Sequence, residues 1–423
     1  MRRVLYTLLL LLLLPWALLH LLWRARRQPE YLQHWGERFG WYGLQLPAPV
    51  IWLHAVSVGE TRAAQPLVEL LRQHYPDYRI LFTHMTPTGR HAGEEIFGDK
   101  VARVYLPYDY PWAVRRFLRH FQPALGIIME TELWPNLIVA CDHMDCPLLL
   151  VNARLSGKSA QRYARFPALT RQALRGLAAV AAQTEADAER LRMLGADAVT
   201  VTGNLKFDID PPRDQLALGA SLRARWDGRA TLLAASTRDG EEALLLDAMC
   251  AHPIPGLLLV IVPRHPQRFG DVETLIAARG LRWQRRSEEL AIAPETRVLL
   301  GDSMGEMFAY YAASDVAFIG GSLLDYGSQN LIEACAVGVP VLLGPSVFNF
   351  AEAAQAALAC GAARCVENAN ELFVAAAEIL GDVAVQRRMG SAGQAFVARH
   401  RGAGARTLAV LEGVLADRQR KRE

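Results

Sequence analysis

Cysteine is scarce in this sequence. Six residues in 423 make no disulfide framework for a chain of this size. The run Cys141-Asp-His-Met-Asp-Cys146 has no second pair at zinc-finger spacing. Both thiols therefore read as small buried side chains, and no metal site is expected. An excess of one charge is missing as well: the net charge is +3, which argues against a general polyanion-binding role and with it against nucleic acid. Nucleotide fingerprints are absent. No G-x-G-x-x-G follows the first apolar strand, and Gly157-Lys158-Ser159 fails as the end of a P-loop because Asn152 stands where its first glycine belongs.

Long apolar runs are confined to one. Residues 4–23 contain no acid, Lys or Arg and include seven consecutive leucines. Twenty such residues just span a hydrocarbon core of roughly 30 Å. Arg24-Ala-Arg-Arg27 follows directly, with no small-residue cleavage site, so a secretory signal peptide is a poor fit. The expectation is an uncleaved N-terminal membrane anchor helix in residues 1–27, with Pro15 as a kink point and a membrane-surface helix as the alternative. Arg24, Arg26, Arg27 and Arg38 outweigh Arg2 and Arg3, which places the main body in the cytoplasm, at the inner membrane.

With 52% hydrophobic residues, a chain of this length can fill two cores. Short, nearly all-apolar strands alternate with helical stretches. Strands are predicted at 49–56, 79–85, 101–106, 124–129, 147–152, 178–183 and 198–203, then at 230–236, 257–262, 297–301, 315–320 and 339–343. Between the first two, Ala63, Ala64, Leu67, Val68 and Leu71 share one helical face. The rhythm implies an α/β chain of two doubly wound, Rossmann-like domains with parallel sheets covered on both sides, at 28–208 and 209–423. Residues 207–214, with two prolines, read as the linker. Two such domains facing a cleft would bind ligands at the carboxyl ends of their strands. Beyond residue 403 a closing helix is expected.

Polar residues gather at the ends of these predicted strands. Glu60 follows the first, Glu130 and Glu132 follow the fourth, Lys206 the seventh, and Pro263-Arg264-His265 a strand of the second half. Carboxylates on one wall and cations on another suit an anionic substrate whose hydroxyl must lose a proton. Glu60 has two readings. It is a first-turn acid stabilised by free N–H groups and the helix dipole, or it is a general base, with Glu130 and Glu132 as rivals. In Gly327-Ser-Gln-Asn330-Leu331-Ile332-Glu333, Asn330 and Glu333 form a capping pair. The alternative is that Glu333 accepts hydrogen bonds from ribose hydroxyls while the helix start faces a phosphate.

Taken together, these residues resemble the Kdo (3-deoxy-D-manno-octulosonic acid) transferases of lipopolysaccharide synthesis. The resemblance runs nearly the whole length, through Trp35-Gly-Glu-Arg38, His54-Ala-Val-Ser-Val-Gly-Glu60, Met85-Thr-Pro-Thr-Gly89, Tyr105-Leu-Pro-Tyr-Asp109, Met129-Glu-Thr-Glu-Leu-Trp-Pro-Asn136, Asn152-Ala-Arg-Leu-Ser156, Gly203-Asn-Leu-Lys-Phe-Asp208 and Pro263-Arg-His-Pro266. The family usually carries His and Pro where Gln329 and Leu331 stand here. The resemblance implies a GT-B glycosyltransferase with CMP-Kdo as donor and a lipid A precursor as acceptor, inverting, without metal or cofactor. It implies Glu60 as general base with Glu130 and Lys206 assisting. It assigns Pro263, Arg264, the turn Met304-Gly305-Glu306, and Asn330, Leu331, Ile332 and Glu333 to CMP. Two other classes account for parts of the pattern. An epimerase of the same fold needs no anchor, and a membrane scaffold leaves the polar strand ends idle.

Overall fold

The computed structural model describes residues 2–420. The chain divides into two units: the first runs to Asp208 and resumes at Arg401, and the second is Ile209–His400.

The first unit is built on seven parallel strands, β1 (Val50–His54), β2 (Arg79–His84), β3 (Ala102–Tyr105), β4 (Leu125–Met129), β5 (Leu148–Ala153), β6 (Ala179–Ala182) and β7 (Val199–Val201). Their order is β3-β2-β1-β4-β5-β6-β7. β1, β4 and β5 are buried along their whole length, as strands covered by helices on both faces must be. All five residues of the predicted helical face, Ala63 through Leu71, are buried against Ile51 and Leu53.

The second unit has seven parallel strands too: β8 (Thr231–Thr237), β9 (Leu258–Pro263), β10 (Trp283–Arg285), β11 (Val298–Leu300), β12 (Val316–Ile319), β13 (Val341–Leu343) and β14 (Ala363–Cys365), in the order β10-β11-β9-β8-β12-β13-β14. All twelve predicted strands are present. β10 and β14 are additional. Both are three-residue edge strands carrying arginines and partly exposed, so neither has an apolar run to announce it. Strand order reverses between β1 and β4 and again between β8 and β12, which opens a crevice at the carboxyl ends of each sheet.

Two expectations need correction. The second domain does not extend to 423. The final helix, Ala403–Arg420, belongs to the first unit, where Leu408 and Leu411 are buried beside Leu67 and Leu71. The Asp208 carboxylate receives its first N–H groups, from Gly402 (2.6 Å), Ala403 (3.2 Å) and Gly404. An apolar helical stripe left over at the chain end covers a face of the first sheet, which a division into consecutive segments cannot anticipate.

The single anchor helix is also absent. Helices Arg3–Leu12 and Leu14–Ala25 meet at a 52° bend, and among the described residues no single helix is long and apolar enough to cross a membrane; the bent pair passes only as a pair. Pro15 in the first turn of the second helix lacks the N–H that would continue the first. One side of the pair docks on the unit. The Tyr6 hydroxyl donates to Asp109 Oδ2 (3.0 Å), Thr7 to Asn136 Oδ1 (3.0 Å), and Leu21 and Ala25 pack on Tyr31. The other side exposes Leu5, Leu8, Leu12, Leu19, Leu22 and Trp23.

Candidate active site

β1 delivers Glu60 through a capped turn. Ser57 caps the helix Val58–Ala63, its Oγ accepting from the Glu60 N–H (3.2 Å) and donating to Glu60 Oε1 (2.8 Å). Glu60 Oε2 accepts from the Val56 N–H (2.8 Å). The first-turn acid and the presented carboxylate are therefore one and the same. Burial pushes this carboxyl up to about 7; the Val56 N–H opposes the rise, and the charges of Glu130 and Glu132 add to it. A carboxylate of that basicity both holds and releases a proton near neutrality.

Glu130 emerges at the end of β4, which pairs directly with β1. It has φ +58° and an N–H donated to Val151 O (2.9 Å). The two acids thus leave the sheet at its switch point. Lys206 lies in the short turn Leu205–Phe207 after β7, and its Nζ is 3.6 Å from Glu130 Oε1. Asn152 positions that turn by accepting from the Leu205 N–H (3.0 Å). Burial also raises Glu132 from its ordinary value, and the charge of Glu130 adds to the rise.

In the second unit Pro263 ends β9 and Arg264 follows, its Nε donating to Gln329 Oε1 (3.2 Å). One of the two residues at which the family pattern is broken is therefore a direct partner of the arginine assigned to the nucleotide. Arg238 Nη1 lies 2.9 Å from His265 Nε2. Burial, then the charges of Arg238, Arg264 and Arg268, hold His265 below its ordinary value. Positive charge concentrated at the ends of β8 and β9 suits an anion such as a phosphate.

Asn330 Oδ1 accepts from the Ile332 N–H and its Nδ2 donates to Glu333 Oε1, both at 3.0 Å. The pair is a side-chain clasp just before the helix Ile332–Val337, whose N-cap is Leu331, so the expected cap by Asn330 is displaced by one residue. Leu331 and Ile332 have side chains wholly inside the core. A ligand could meet them through their backbone alone. Met304 is exposed and Gly305 has φ +78°, while Glu306 is held by Ser303 (2.6 Å) and Arg286 (3.2 Å). Cys141 and Cys146 are buried free thiols.

Arg238 and Glu241 were overlooked in the sequence. Glu241 is buried and accepts from the N–H groups of Arg238 (2.8 Å), Gly321 (2.6 Å) and Leu323 (3.1 Å), tying the turn after β12 to the turn after β8. At Gly320 a Cβ would stand 2.5 Å from Ser236 O, so only glycine permits this approach. The signal was the polar run Thr237-Arg-Asp-Gly-Glu-Glu242 at the end of an apolar strand.

The chain is similar to known proteins. Residues 33–209 match the family model described as 3-Deoxy-D-manno-octulosonic-acid transferase (kdotransferase). The 3-deoxy-D-manno-octulosonic acid transferase of Bordetella pertussis is 45% identical over 428 residues, 97% of this chain and 99% of that protein. The protein of the same name from Haemophilus influenzae is 39% identical over 98% of this chain and 99% of its own length. A glycosyltransferase structure from Rickettsia africae shares the fold, with a TM-score of 0.58 at 14% identity, covering 88% of this chain and 99% of its own. The chain belongs to the 3-deoxy-D-manno-octulosonic acid transferase family and is a glycosyltransferase.

Proposed function

We propose that this enzyme transfers Kdo from CMP-Kdo to a lipid A precursor, a phosphorylated and acylated glucosamine disaccharide, with inversion, at the cytoplasmic side of the inner membrane. The observation that carries the reading is Glu60, fixed by Val56 and Ser57 with a carboxyl raised to about 7. A sugar hydroxyl is a poor nucleophile, and a placed base removing its proton accelerates attack by roughly 100- to 10,000-fold.

In this reading Glu60 takes the proton of the acceptor hydroxyl as its oxygen bonds to the anomeric carbon and the bond to CMP breaks. Lys206, steadied by Glu130, pairs with the donor's own carboxylate. Arg264 and Arg238 meet the charge growing on the departing phosphate without reorganising. The outward apolar side of the N-terminal helix pair rests in the bilayer, keeping the enzyme beside a substrate that cannot leave it.

The test is direct. Full-length enzyme given CMP-Kdo and the lipid A precursor in detergent should release CMP and add the mass of Kdo to the lipid, while Glu60→Gln should release far less. A folded wild-type protein that binds CMP-Kdo and transfers nothing to this acceptor would refute the acceptor assignment.

A further inference from the structure

The N-terminal helix pair does more than cover the first unit. Its second helix forms one wall of a pocket of about 400 Å³, where Trp16, His20 and Arg24 join Arg38, Glu132 and Trp134 of the body. Val56, whose N–H holds Glu60, lines the same pocket. Arg38 is only 2% exposed. Its Nη1 donates to Met85 O (3.0 Å), but Nε and Nη2 have no hydrogen-bond partner among the described residues. Its guanidinium lies 4.1 Å from the Tyr105 ring centre and 5.8 Å from that of Tyr31, and Arg24 lies 4.6 Å from the same Tyr31 ring. Two guanidinium groups thus gather around one aromatic ring at a pocket wall.

A buried cation with unpartnered donors is half of a charge-assisted pair. The planar fork of arginine fits the oxygens of a phosphate two at a time. The rest of the lining is mixed: indole and phenol faces with Leu21 suit the first carbons of a lipid, while His20, Thr86 and the Glu132 carboxylate are polar, and the two guanidinium groups outnumber that one acid. We infer that this pocket binds the phosphate-bearing head group of a lipid, gripped by Arg38 and Arg24, with the helix Leu14–Ala25 as its wall. Phosphate held here brings the attached sugar within reach of the segment that carries Glu60. The inference deepens the acceptor reading above and takes the identity of the head group from it.

The experiment separates the two. Binding of dihexanoyl phosphatidic acid, dihexanoyl phosphatidylcholine and inorganic phosphate to the full-length enzyme in detergent is measured by tryptophan fluorescence, with no transfer required. The phosphate monoester lipid should bind best. Arg38→Gln should weaken it on the order of tenfold or more, and exposed Arg24→Ala should weaken it several-fold at an unchanged melting temperature. In transfer assays both variants should raise KM for the bisphosphorylated acceptor but not for CMP-Kdo, and should lose this effect on a dephosphorylated acceptor. Equal binding of phosphatidylcholine, or of inorganic phosphate alone, would overturn the inference. So would wild-type affinity in Arg24→Ala and Arg38→Gln. Loss of transfer with lipid binding intact would instead count against the acceptor reading.

Discussion

Lys206 Nζ lies 3.6 Å from Glu130 Oε1, joining the turn after β7 to the end of β4 across two intervening strands. Both side chains are about one-quarter exposed, at 23% and 24%, where an ion pair contributes at most about 1 kcal/mol of stability. In the proposed mechanism the pair matters for where it holds an ammonium group. Lys206→Met should therefore lower turnover at least tenfold while shifting the melting temperature little. In a double-mutant cycle, Glu130→Gln and Lys206→Met should be non-additive in kcat/KM. Additive losses would mean that the two act separately.

If Glu60 is the general base proposed above, it should set the acid limb of the pH profile. Its carboxyl is raised to about 7, so activity should climb as pH rises through about 7 and the base loses its proton. Stability runs the other way. The folded state binds the proton more tightly than the unfolded one, so the contribution is full below the ordinary value of 4.5 and is lost as pH rises to about 7. Glu60→Gln should lower turnover by roughly two to four powers of ten and abolish the acid limb, with a melting temperature at pH 8 no lower than wild type. Near-normal transfer would move the base to Glu130 or Glu132.

The proposed assignment of Arg264 and Glu333 to CMP can be tested by calorimetry. Arg264→Ala removes a guanidinium held by Gln329 and should weaken CMP on the order of tenfold. Glu333→Gln keeps the size of a side chain clasped by Asn330 and should weaken CMP with little change in melting temperature. If the melting temperature falls and CMP affinity does not, Glu333 is only a structural clasp.

Deleting residues 1–27 removes the partners of Asp109, Asn136 and Tyr31 along with one pocket wall. Transfer should fall on detergent-dispersed acceptor as well as on membrane-embedded acceptor. Retained activity on the dispersed lipid would reduce the pair to a tether.

Much of this architecture was legible in the sequence because parallel strands buried on both faces are apolar throughout, as at Val50–His54 and Leu148–Ala153. Glu60, Glu130, Lys206 and Arg264 stood out as polar residues closing such runs. The edge strands Trp283–Arg285 and Ala363–Cys365 escaped because a strand paired on one side can carry arginines. Glu241 escaped because a buried carboxylate that binds three backbone N–H groups looks, in sequence, like any first-turn acid. The bend at Leu13 lies beside Pro15. Tyr6 and Thr7, two hydroxyls just before the leucine run, help tie the helices to the body through partners more than 100 residues away.

Asp208 offers a simple stability test of the returning tail. Asp208→Ala leaves the N–H groups of Gly402, Ala403 and Gly404 without their carboxylate and should cost about 1–2 kcal/mol, as helix N-caps do. Denaturant unfolding measures it.

That returning tail also fixes an order of events during synthesis. The second unit is contiguous, and all of it has been made when residue 400 is added. The first unit begins earlier but finishes later, because the leucines that roof Leu67 and Leu71 come from the final stretch of the chain. While the ribosome translates residues 209–400, the older unit waits with an apolar face bare, already carrying its greasy N-terminal helices. In that interval an apolar face of the nascent chain stands open to non-native contacts, until the helix Ala403–Arg420 has been made.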